Sequence, residues 1–329
     1  MEHNNAQTIR QTIESLGQSL DAGSIARSKP WPTGFEPFDT VLGGGFHPGE
    51  FTLVGGKPGA GKTIAALQWA RTSAMAGRPV VYVNLEDGPS AVLGRLLALE
   101  LASISRSDEV GDRDRLRAMI TGLATGAASL DELTREPLGE EACGRVMRYG
   151  ENLTIVGAGA ATVTLDDIAA LASTTPLPSI VFVDYMQKLQ PPINVGNELE
   201  RTNAIAEALK KMALRLDTAV VALSAVDHDG LLSRRARMHH LRGSTALAHE
   251  PDLIILLNEK FAAVTKEHLA FDSARADRYR NQVIFSIEKN RSGPAAIDLE
   301  FTKDFANFRF DPIGAFTAEK LLDSVLFNE

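Results

Sequence analysis

Gly56–Thr63 follows the pattern G-x-x-x-x-G-K-[ST] without a mismatch. An apolar run, Phe51–Gly55, precedes this loop, and a helix-forming run, Ile64–Ala76, follows it. Glycines in such a loop let backbone N–H groups turn inward around a polyphosphate, and the helix adds partial positive charge at its N-terminus. The order of strand, loop and helix therefore predicts a nucleotide-phosphate site. The alternative is a glycine-rich turn that holds no ligand.

Side chains of this loop can carry chemistry as well as shape. The residues predicted to bind the nucleotide are Gly56, Pro58, Gly59, Ala60, Gly61, Lys62 and Thr63. Lys62 would reach the β- and γ-phosphates of ATP or GTP, and the Thr63 hydroxyl would ligate Mg²⁺. A second Mg²⁺ ligand is expected at Asp184, which ends the apolar run Ile180–Asp184. A strand-terminal aspartate that begins a turn is the alternative for Asp184.

Glu86 is the candidate general base. It follows the apolar run Val80–Asn84, which comes directly after the helix of the phosphate loop. In an open parallel sheet the carboxyl ends of the strands share one crevice with the ligand, so a carboxylate there can activate a water molecule. Alternatively, Glu86 and Asp87 are acids that stabilise the N-terminus of the next helix.

Two further groups of cations stand out. Lys289 and Arg291 lie between two late strand candidates and could neutralise charge on a γ-phosphate, although the residue types alone favour a solvated hairpin tip. The most basic window lies between Ser224 and Ser244 and would suit a phosphodiester backbone, or be an exposed loop without a partner. The residues predicted to contact nucleic acid are Arg234, Arg235, Arg237, Arg242, Gly243 and Thr245.

Short β-branched runs alternate with helical patterns through most of the chain. The strand candidates are Phe51–Val54, Val80–Asn84, Leu153–Val156, Ile180–Asp184, Ala219–Ser224 and Leu253–Asn258, followed by Gln282–Glu288 and Ile297–Phe301. The helix candidates are Ile64–Ala76, Pro89–Leu101, Leu165–Ala172, Glu198–Leu216 and Thr317–Leu326. This alternation predicts an α/β fold, with a mostly parallel twisted sheet, helices on both faces and a C-terminal β-hairpin.

The same patterns predict a domain organisation. Residues 1–30 contain an amphipathic helix, with Ile9, Ile13, Leu16 and Leu20 at helical spacing, that would pack on its own domain or on a neighbouring subunit. Residues 31–313 form the core, with a helical insertion at about 103–150, and residues 314–329 form a C-terminal helix or tail. The C-terminal helix is expected at Thr317–Leu326.

Composition narrows the class of protein. The chain has 329 residues, of which 44% are hydrophobic and 23% charged, as in soluble globular proteins. No apolar run is long enough for a membrane span and no secretory signal is visible. The single cysteine, Cys143, excludes an internal disulfide and fits a reducing cytoplasm. The net charge of −8 restricts nucleic-acid contact to a local basic patch.

Five motifs in order resemble the ATPase domain of bacterial replicative DNA helicases, the DnaB family of RecA-like hexameric motors. Besides the phosphate loop and its approach, Pro32–Glu50, they are Leu85–Glu86, Val183–Gln187, Leu241–Ser244 with Glu250–Asp252, and Glu288–Pro294. The resemblance implies a RecA-like P-loop NTPase that hydrolyses ATP with Mg²⁺ at the interfaces of a ring around single-stranded DNA.

The resemblance also implies roles for single residues. Glu86 becomes the catalytic glutamate, Lys289 and Arg291 become a catalytic pair that acts on the neighbouring subunit, and Arg242 belongs to the DNA-binding loop. The N-terminal helix becomes a linker helix that docks on the adjacent subunit. The expected function is that of an ATP-dependent DNA helicase or single-stranded-DNA translocase in DNA replication.

Three departures from the family pattern qualify this expectation. Only about thirty residues precede the core, where the family has a helical N-terminal domain. Ala225 stands where the family has a glutamine that senses the γ-phosphate, and Gly243 stands where it has an acid. These departures motivate a second hypothesis, a nucleotide-dependent assembly or scaffold ATPase that binds a protein partner without unwinding DNA.

Overall fold

The computed structural model describes residues 8–11, 13–14, 29–104, 110–157, 163–175, 178–192, 196–243, 246–264 and 273–322. Its central feature is a sheet with a parallel core in the order β6-β1-β5-β4-β2-β3. These strands are β1 (Phe51–Gly56), β2 (Val80–Asn84), β3 (Leu153–Gly157), β4 (Ile180–Asp184), β5 (Ala219–Ser224) and β6 (Leu253–Glu259). The non-sequential order brings the ends of β1, β4 and β2 to one crevice, as the alternating pattern predicts.

Antiparallel strands extend the sheet beyond β6. Strand β7 (Gln282–Asn290) pairs with β6, and β8 (Ile297–Asp304) pairs with β7. Two short strands, β9 (Arg309–Phe310) and β10 (Ala315–Phe316), pair with β8. The predicted C-terminal hairpin and the α/β class are therefore confirmed.

Helices cover both faces of the sheet. In chain order they are α1 (Phe38–Val41), α2 (Lys62–Met75), α3 (Pro89–Ile104), α4 (Val110–Thr125), α5 (Leu130–Thr134), α6 (Pro137–Gly150), α7 (Leu165–Ser173), α8 (Glu198–Leu216), α9 (His228–Leu232), α10 (Ala246–His249), α11 (Lys260–Ala263) and α12 (Ser273–Arg280). Helix α2 packs on an aromatic core that includes Trp69, Phe285 and Phe301, whereas α7 and α8 pack through Ile168 and Ile205 on the opposite face. Burial on two faces explains why the central strands read as continuous apolar runs.

The predicted helical insertion is present as α4 to α6. These helices and α3 share a separate apolar cluster that includes Leu97, Leu116, Ile120 and Leu133. A salt bridge between Arg71 of α2 and the fully buried Glu100 of α3 ties this layer to the helix of the phosphate loop. The insertion is thus a small helical layer with its own core.

The two ends of the chain compare differently with the helices predicted there. Residues 9–11 and 13–14 are helical, and Ile9 and Ile13 are exposed, whereas Leu16 and Leu20 lie outside the described residues. The helix predicted at Thr317–Leu326 is wrong over its described part, 317–322. Backbone N–H groups at the two ends of this described part bond to other elements: Thr317 donates to the carbonyl of Asp298 and Leu322 donates to that of Ala263. Pairing with β8 and α11 therefore outweighs the local helical pattern. No described helix is long and apolar enough to span a membrane.

A buried cation fixes this C-terminal segment. The ammonium of Lys260, 1% exposed, pairs with Glu300 and, at 2.8 Å, with Glu319. The Tyr279 hydroxyl donates to Glu319 at 2.6 Å, and the Lys260 ammonium lies over the Tyr279 ring. Partial burial would raise the pKa of Glu319, but the hydrogen bonds from Lys260 and Tyr279 outweigh it and lower that pKa to about 2.

Acid should therefore release the Glu319 contact. Because its pKa is depressed in the folded state, its stabilising effect is fully present above the ordinary value of 4.5 and is lost as pH falls toward 2. We expect Glu319→Gln to lower the free energy of unfolding at neutral pH, and the gap from wild type to narrow below about pH 4.5. Denaturant titrations from pH 7 to pH 3 measure it. A gap that stays constant over that range contradicts the assignment.

Candidate functional site

The phosphate loop joins β1 to α2 with the backbone that the motif requires. Gly59 and Gly61 have φ of +79° and +94°, which side chains rarely allow. A Cβ at Gly61 would lie 2.6 Å from the rings of Phe305 and Phe310, whereas one at Gly59 would meet nothing within 4 Å. The rings of Phe305 and Phe310 thus pack closely against Gly61, whereas the loop is open at Gly59. A loop that binds a polyphosphate needs such an open side.

Lys62 begins helix α2 and turns back over the loop. Its ammonium donates to the carbonyl oxygens of Gly56 at 2.7 Å and Lys57 at 3.0 Å. Burial lowers the pKa of Lys62, and the negative charges of Asp184 and Glu86 raise it. Burial has the larger effect, so the pKa is lowered to about 8. A polyphosphate in the loop would offer this buried cation a stronger partner than two carbonyls.

Asp184, at the carboxyl end of β4, lies beside the start of α2. Burial raises the pKa of Asp184, the hydrogen bond with the Thr63 side chain lowers it, and the charge of Glu86 raises it further. The Tyr82 hydroxyl donates to its Oδ2 at 3.3 Å. A hydroxyl and a carboxylate facing a polyphosphate cradle are hard oxygen ligands, so Thr63 and Asp184 fit a Mg²⁺ site.

Glu86 is placed by the strand that precedes it. The side-chain oxygen of Asn84, the last residue of β2, accepts hydrogen bonds from the backbone N–H of Glu86 at 2.9 Å and of Asp87 at 3.0 Å. The Glu86 carboxylate remains 45% exposed and pairs with Lys188 at 3.2 Å. It is accessible to water and close to the acid at the end of β4.

These groups share one cavity of about 450 Å³. Its lining consists of Pro58, Gly59, Gly61, Lys62, Thr63, Ile64, Glu86, Asp184, Tyr185, Ala225 and Phe305. The sequence-predicted lysine, hydroxyl and two acids therefore converge. Phe305 was not predicted as a site residue, because its turn reaches the loop only through the pairing of β8 and β9. Ala225 brings no polar side chain to this cavity.

The predicted catalytic pair lies far from this cavity in its own chain. Lys289 pairs with Ile254 of β6, which lies level with Leu53 of β1, and the backbone N–H of Arg291 donates to Asp252. Leu53 is three residues before Gly56, so Lys289 lies about 10 Å back along the strands and Arg291 further still. Both occupy the amino ends of the parallel strands, opposite the phosphate loop.

Their side chains differ in availability. The Lys289 ammonium donates to the carbonyls of Ala248 at 3.0 Å and His249 at 2.8 Å, and burial lowers its pKa. The Arg291 side chain is 75% exposed, with one guanidinium nitrogen 3.5 Å from Asp252. Arg291 is thus free to reach a second molecule.

The basic segment, residues 225–243, divides into two kinds of arginine. Arg235, 7% exposed, pairs with Asp298 at 2.7 Å, and Arg237 pairs with the buried carboxylate of Glu288 at 2.6 Å. These contacts to β8 and β7 do not support the nucleic-acid role predicted for the two residues. Arg234 is exposed, and Arg242, 54% exposed, pairs with Glu198.

Two other residues of the predicted nucleic-acid set behave differently. Gly243 has φ of +129° and packs against Thr202 of α8, so a side chain there would collide. Thr245 lies outside the described residues. The exposed arginines of the basic segment, Arg234 and Arg242, are therefore its best candidates for a phosphate backbone.

Two polar links from the nucleotide site to the basic segment were not foreseen. The Gln187 amide donates to the Ser224 hydroxyl at 2.8 Å and to the carbonyl of Arg242 at 3.2 Å. The Lys57 ammonium donates to carbonyls of Leu231 and Ser233. Both residues lie in motifs found in the sequence, but these contacts could not be predicted because their partners lie far away in the sequence.

Comparison with known proteins agrees with this geometry. Residues 31–106 match the ATPase family described as KaiC, and residues 146–310, half of the chain, match the DnaB-like helicase C-terminal domain. The replicative DNA helicase DnaB of Leifsonia xyli subsp. xyli is 27% identical over 284 residues, which cover 84% of this chain and 55% of that protein. DnaB of Treponema pallidum is 27% identical over 281 residues, with the same coverage. The chain thus spans about half the length of these curated relatives.

The solved structures support the same fold. One of them, described as an ATPase domain, superposes with a TM-score of 0.70 at 21% identity and covers 93% of this chain and 99% of that one. Another, described as a DnaB-like replicative helicase, superposes with a TM-score of 0.66 at 21% identity and covers 93% of this chain and 67% of that one. The predicted RecA-like fold is confirmed.

Proposed function

Because the chain belongs to the DnaB-like helicase C-terminal domain family, we propose that it is an ATP-driven motor that moves on single-stranded DNA as a hexameric ring. The observation that carries the proposal is the division of the catalytic groups between two surfaces. Lys62, Thr63, Glu86 and Asp184 meet in one cavity, whereas Arg291 is exposed at the opposite end of the sheet. Such a site becomes complete only when two subunits meet.

The cavity supplies the groups for phosphoryl transfer to water. Glu86, exposed and oriented by Asn84, takes the proton of the attacking water, and Lys62 compensates the charge on the β- and γ-phosphates. Thr63 and Asp184 would hold Mg²⁺, which supplies further positive charge to the phosphate oxygens when it is bound. Phe305 and Ile64 give the cavity an apolar wall.

Arg291 completes the site in the neighbouring subunit. The backbone of Arg291 lies level with Phe51 of β1, which is five residues before Gly56. Arg291 is therefore about 17 Å from the phosphate loop, measured along the strands. An arginine side chain is too short to span that distance within the chain. The two half-sites occupy different surfaces of one subunit, so the contact is head-to-tail, and such contacts close into a ring when the rotation between successive subunits closes, as we propose here.

Single-stranded DNA should stimulate turnover. The exposed Arg234 and Arg242 suit phosphate contacts, and the basic segment lacks aromatic residues for base stacking. We expect the ATP hydrolysis rate to rise several-fold with a single-stranded oligonucleotide at low salt. No stimulation at low salt, where phosphate contacts are strongest, contradicts the proposal.

The contribution of Arg242 to DNA binding can be measured separately from ATP hydrolysis. Arg242→Ala should weaken oligonucleotide binding for all sequences alike. The slope of the logarithm of the binding constant against the logarithm of the salt concentration should fall in magnitude by about one, the value for a single phosphate contact. Arg148→Ala, on the exposed end of α6, serves as the matched control and should bind like wild type. An Arg242→Ala variant with wild-type affinity and salt dependence removes this residue from the interface.

A second function, a nucleotide-dependent assembly ATPase, is favoured by Ala225. This residue lines the cavity without a polar group, and the pairing of Arg235 and Arg237 reduces the exposed basic surface. Slow hydrolysis, nucleotide-dependent oligomers and no strand separation support this second function. Robust unwinding of a forked duplex eliminates it.

A further inference from the structure

Lys57 belongs to the phosphate loop by its backbone but not by its side chain. It is absent from the lining of the 450 Å³ cavity, and it lines instead a separate pocket of about 190 Å³ together with Arg234. Its ammonium donates to the carbonyl oxygen of Leu231 at 2.9 Å and to that of Ser233. Burial lowers the pKa of Lys57, while the carboxylate of Glu259 raises it.

The acceptors of Lys57 lie at the end of helix α9. The carbonyls in the last turn of a helix have no partner within the helix, and a lysine that approaches them is favoured by the negative end of the dipole. Arg234 follows immediately in the chain. The Lys57 ammonium therefore holds the stretch of the basic segment that presents an exposed arginine.

The backbone of Lys57 is in turn tied to the group that binds phosphate. Its carbonyl oxygen accepts a hydrogen bond from the Lys62 ammonium at 3.0 Å. A polyphosphate in the loop would draw this ammonium away, since a hydrogen bond between two charged groups is stronger than one to a carbonyl. Phosphate binding therefore changes the bonding of the very residue whose side chain holds Leu231 and Ser233.

The remainder of the basic segment is anchored elsewhere. Arg235 is fixed to Asp298, and Arg237 is fixed to Glu288. Val226 pairs with Leu241 at the base of the segment. A change transmitted through Lys57 is thus confined to the end of α9 and Arg234.

We propose that Lys57 is a positioning residue that relays occupancy of the phosphate loop to Arg234, and so couples the binding of nucleotide to that of single-stranded DNA. This proposal rests on the function proposed above. It supplies a route for the coupling that the apolar Ala225 cannot provide. Coupling of two ligands is reciprocal, so the nucleotide must raise the affinity for DNA by the same factor as DNA raises that for nucleotide.

The test measures this factor in three variants. The affinity for a labelled single-stranded oligonucleotide is determined with and without a non-hydrolysable ATP analogue. In wild type we expect a change of about fivefold or more, the usual range of such coupling. Lys57→Met should bring the factor close to one, and Lys57→Arg should retain most of it. Lys211→Met, at an exposed lysine that pairs with Glu207, should leave it unchanged.

Hydrogen exchange gives a second readout that needs neither DNA nor a variant. Adding the ATP analogue to wild type should change amide exchange in residues 228–235 and leave the interior of β7 unchanged. This readout decides the proposal if Lys57→Met no longer binds the analogue. A wild type that binds no oligonucleotide contradicts the proposed function, and exchange then still tests the relay. The relay through Lys57 is overturned if the ATP analogue changes the oligonucleotide affinity by the same factor in wild type and Lys57→Met. It is also overturned if amide exchange in residues 228–235 stays unchanged.

Discussion

We expect Arg291→Ala to lower the rate of ATP hydrolysis by about 10³-fold or more, while ATP binding stays within a few-fold of wild type. Arginines that stabilise the transition state of phosphoryl transfer contribute about 10³ to 10⁵ in rate. Arg291 is exposed and lies at the end of the sheet opposite the phosphate loop, so its loss leaves the binding loop of its own subunit intact. Steady-state hydrolysis and titration with a fluorescent ATP analogue measure the two quantities.

A surface arginine provides the control for this variant. Arg145 pairs with Glu141 one helical turn away on α6 and should tolerate replacement by alanine with no change in hydrolysis. Oligomeric state is measured alongside, because a loss of assembly would also stop turnover. If Arg291→Ala forms the wild-type oligomer and hydrolyses ATP within a few-fold of wild type, Arg291 has no catalytic role.

The second large effect is expected at Lys62. Lys62→Ala should lower hydrolysis by at least about 10²-fold to 10³-fold, because a preorganised cation aimed at the transferring phosphate is lost. It should also abolish the thermal stabilisation that ATP gives to wild type. Without nucleotide the variant should be at least as stable as wild type, since it no longer buries an ammonium whose pKa burial lowers to about 8.

The stability measurement separates a chemical loss from misfolding. A folded Lys62→Ala protein with little turnover assigns the lysine to the site. Turnover close to wild type in this variant refutes the phosphate loop as the site of hydrolysis. Lys210→Ala is unsuitable as a control because Lys210 pairs with the buried Asp252, so the exposed Lys211 is preferable.

The sequence was sufficient to predict those parts of the site that depend on the order of strands, loops and helices along the chain. The loop Gly56–Thr63 carries its own strand and helix, and the rule that parallel strands end at a common edge places Glu86 and Asp184 near it. The structure brings these residues into one cavity. The family resemblance implied that Lys289 and Arg291 act on the neighbouring subunit, but their distance from the cavity of their own subunit depends on the register of β7 against β6, which local patterns do not determine.

Long-range pairing explains what the sequence did not predict. Arg235 has its partner Asp298 63 residues later, so composition alone could not distinguish it from the exposed Arg234. The helix expected at Thr317–Leu326 failed in its described part for the same reason, since its backbone groups bond to β8 and α11. The spacing of apolar residues along a segment does not show whether its backbone groups will bond to a distant strand or helix instead.

Complementation between two inactive variants tests the shared site most directly. Arg291→Ala keeps the phosphate loop and Glu86, whereas Glu86→Ala keeps Arg291, so a contact between the two variants in the correct order restores a complete site. Mixed before assembly in equal amounts, they should regain hydrolysis at about one interface in four. Each variant alone should stay nearly inactive. A mixture no more active than the two separate variants contradicts a site that is completed by the neighbouring subunit.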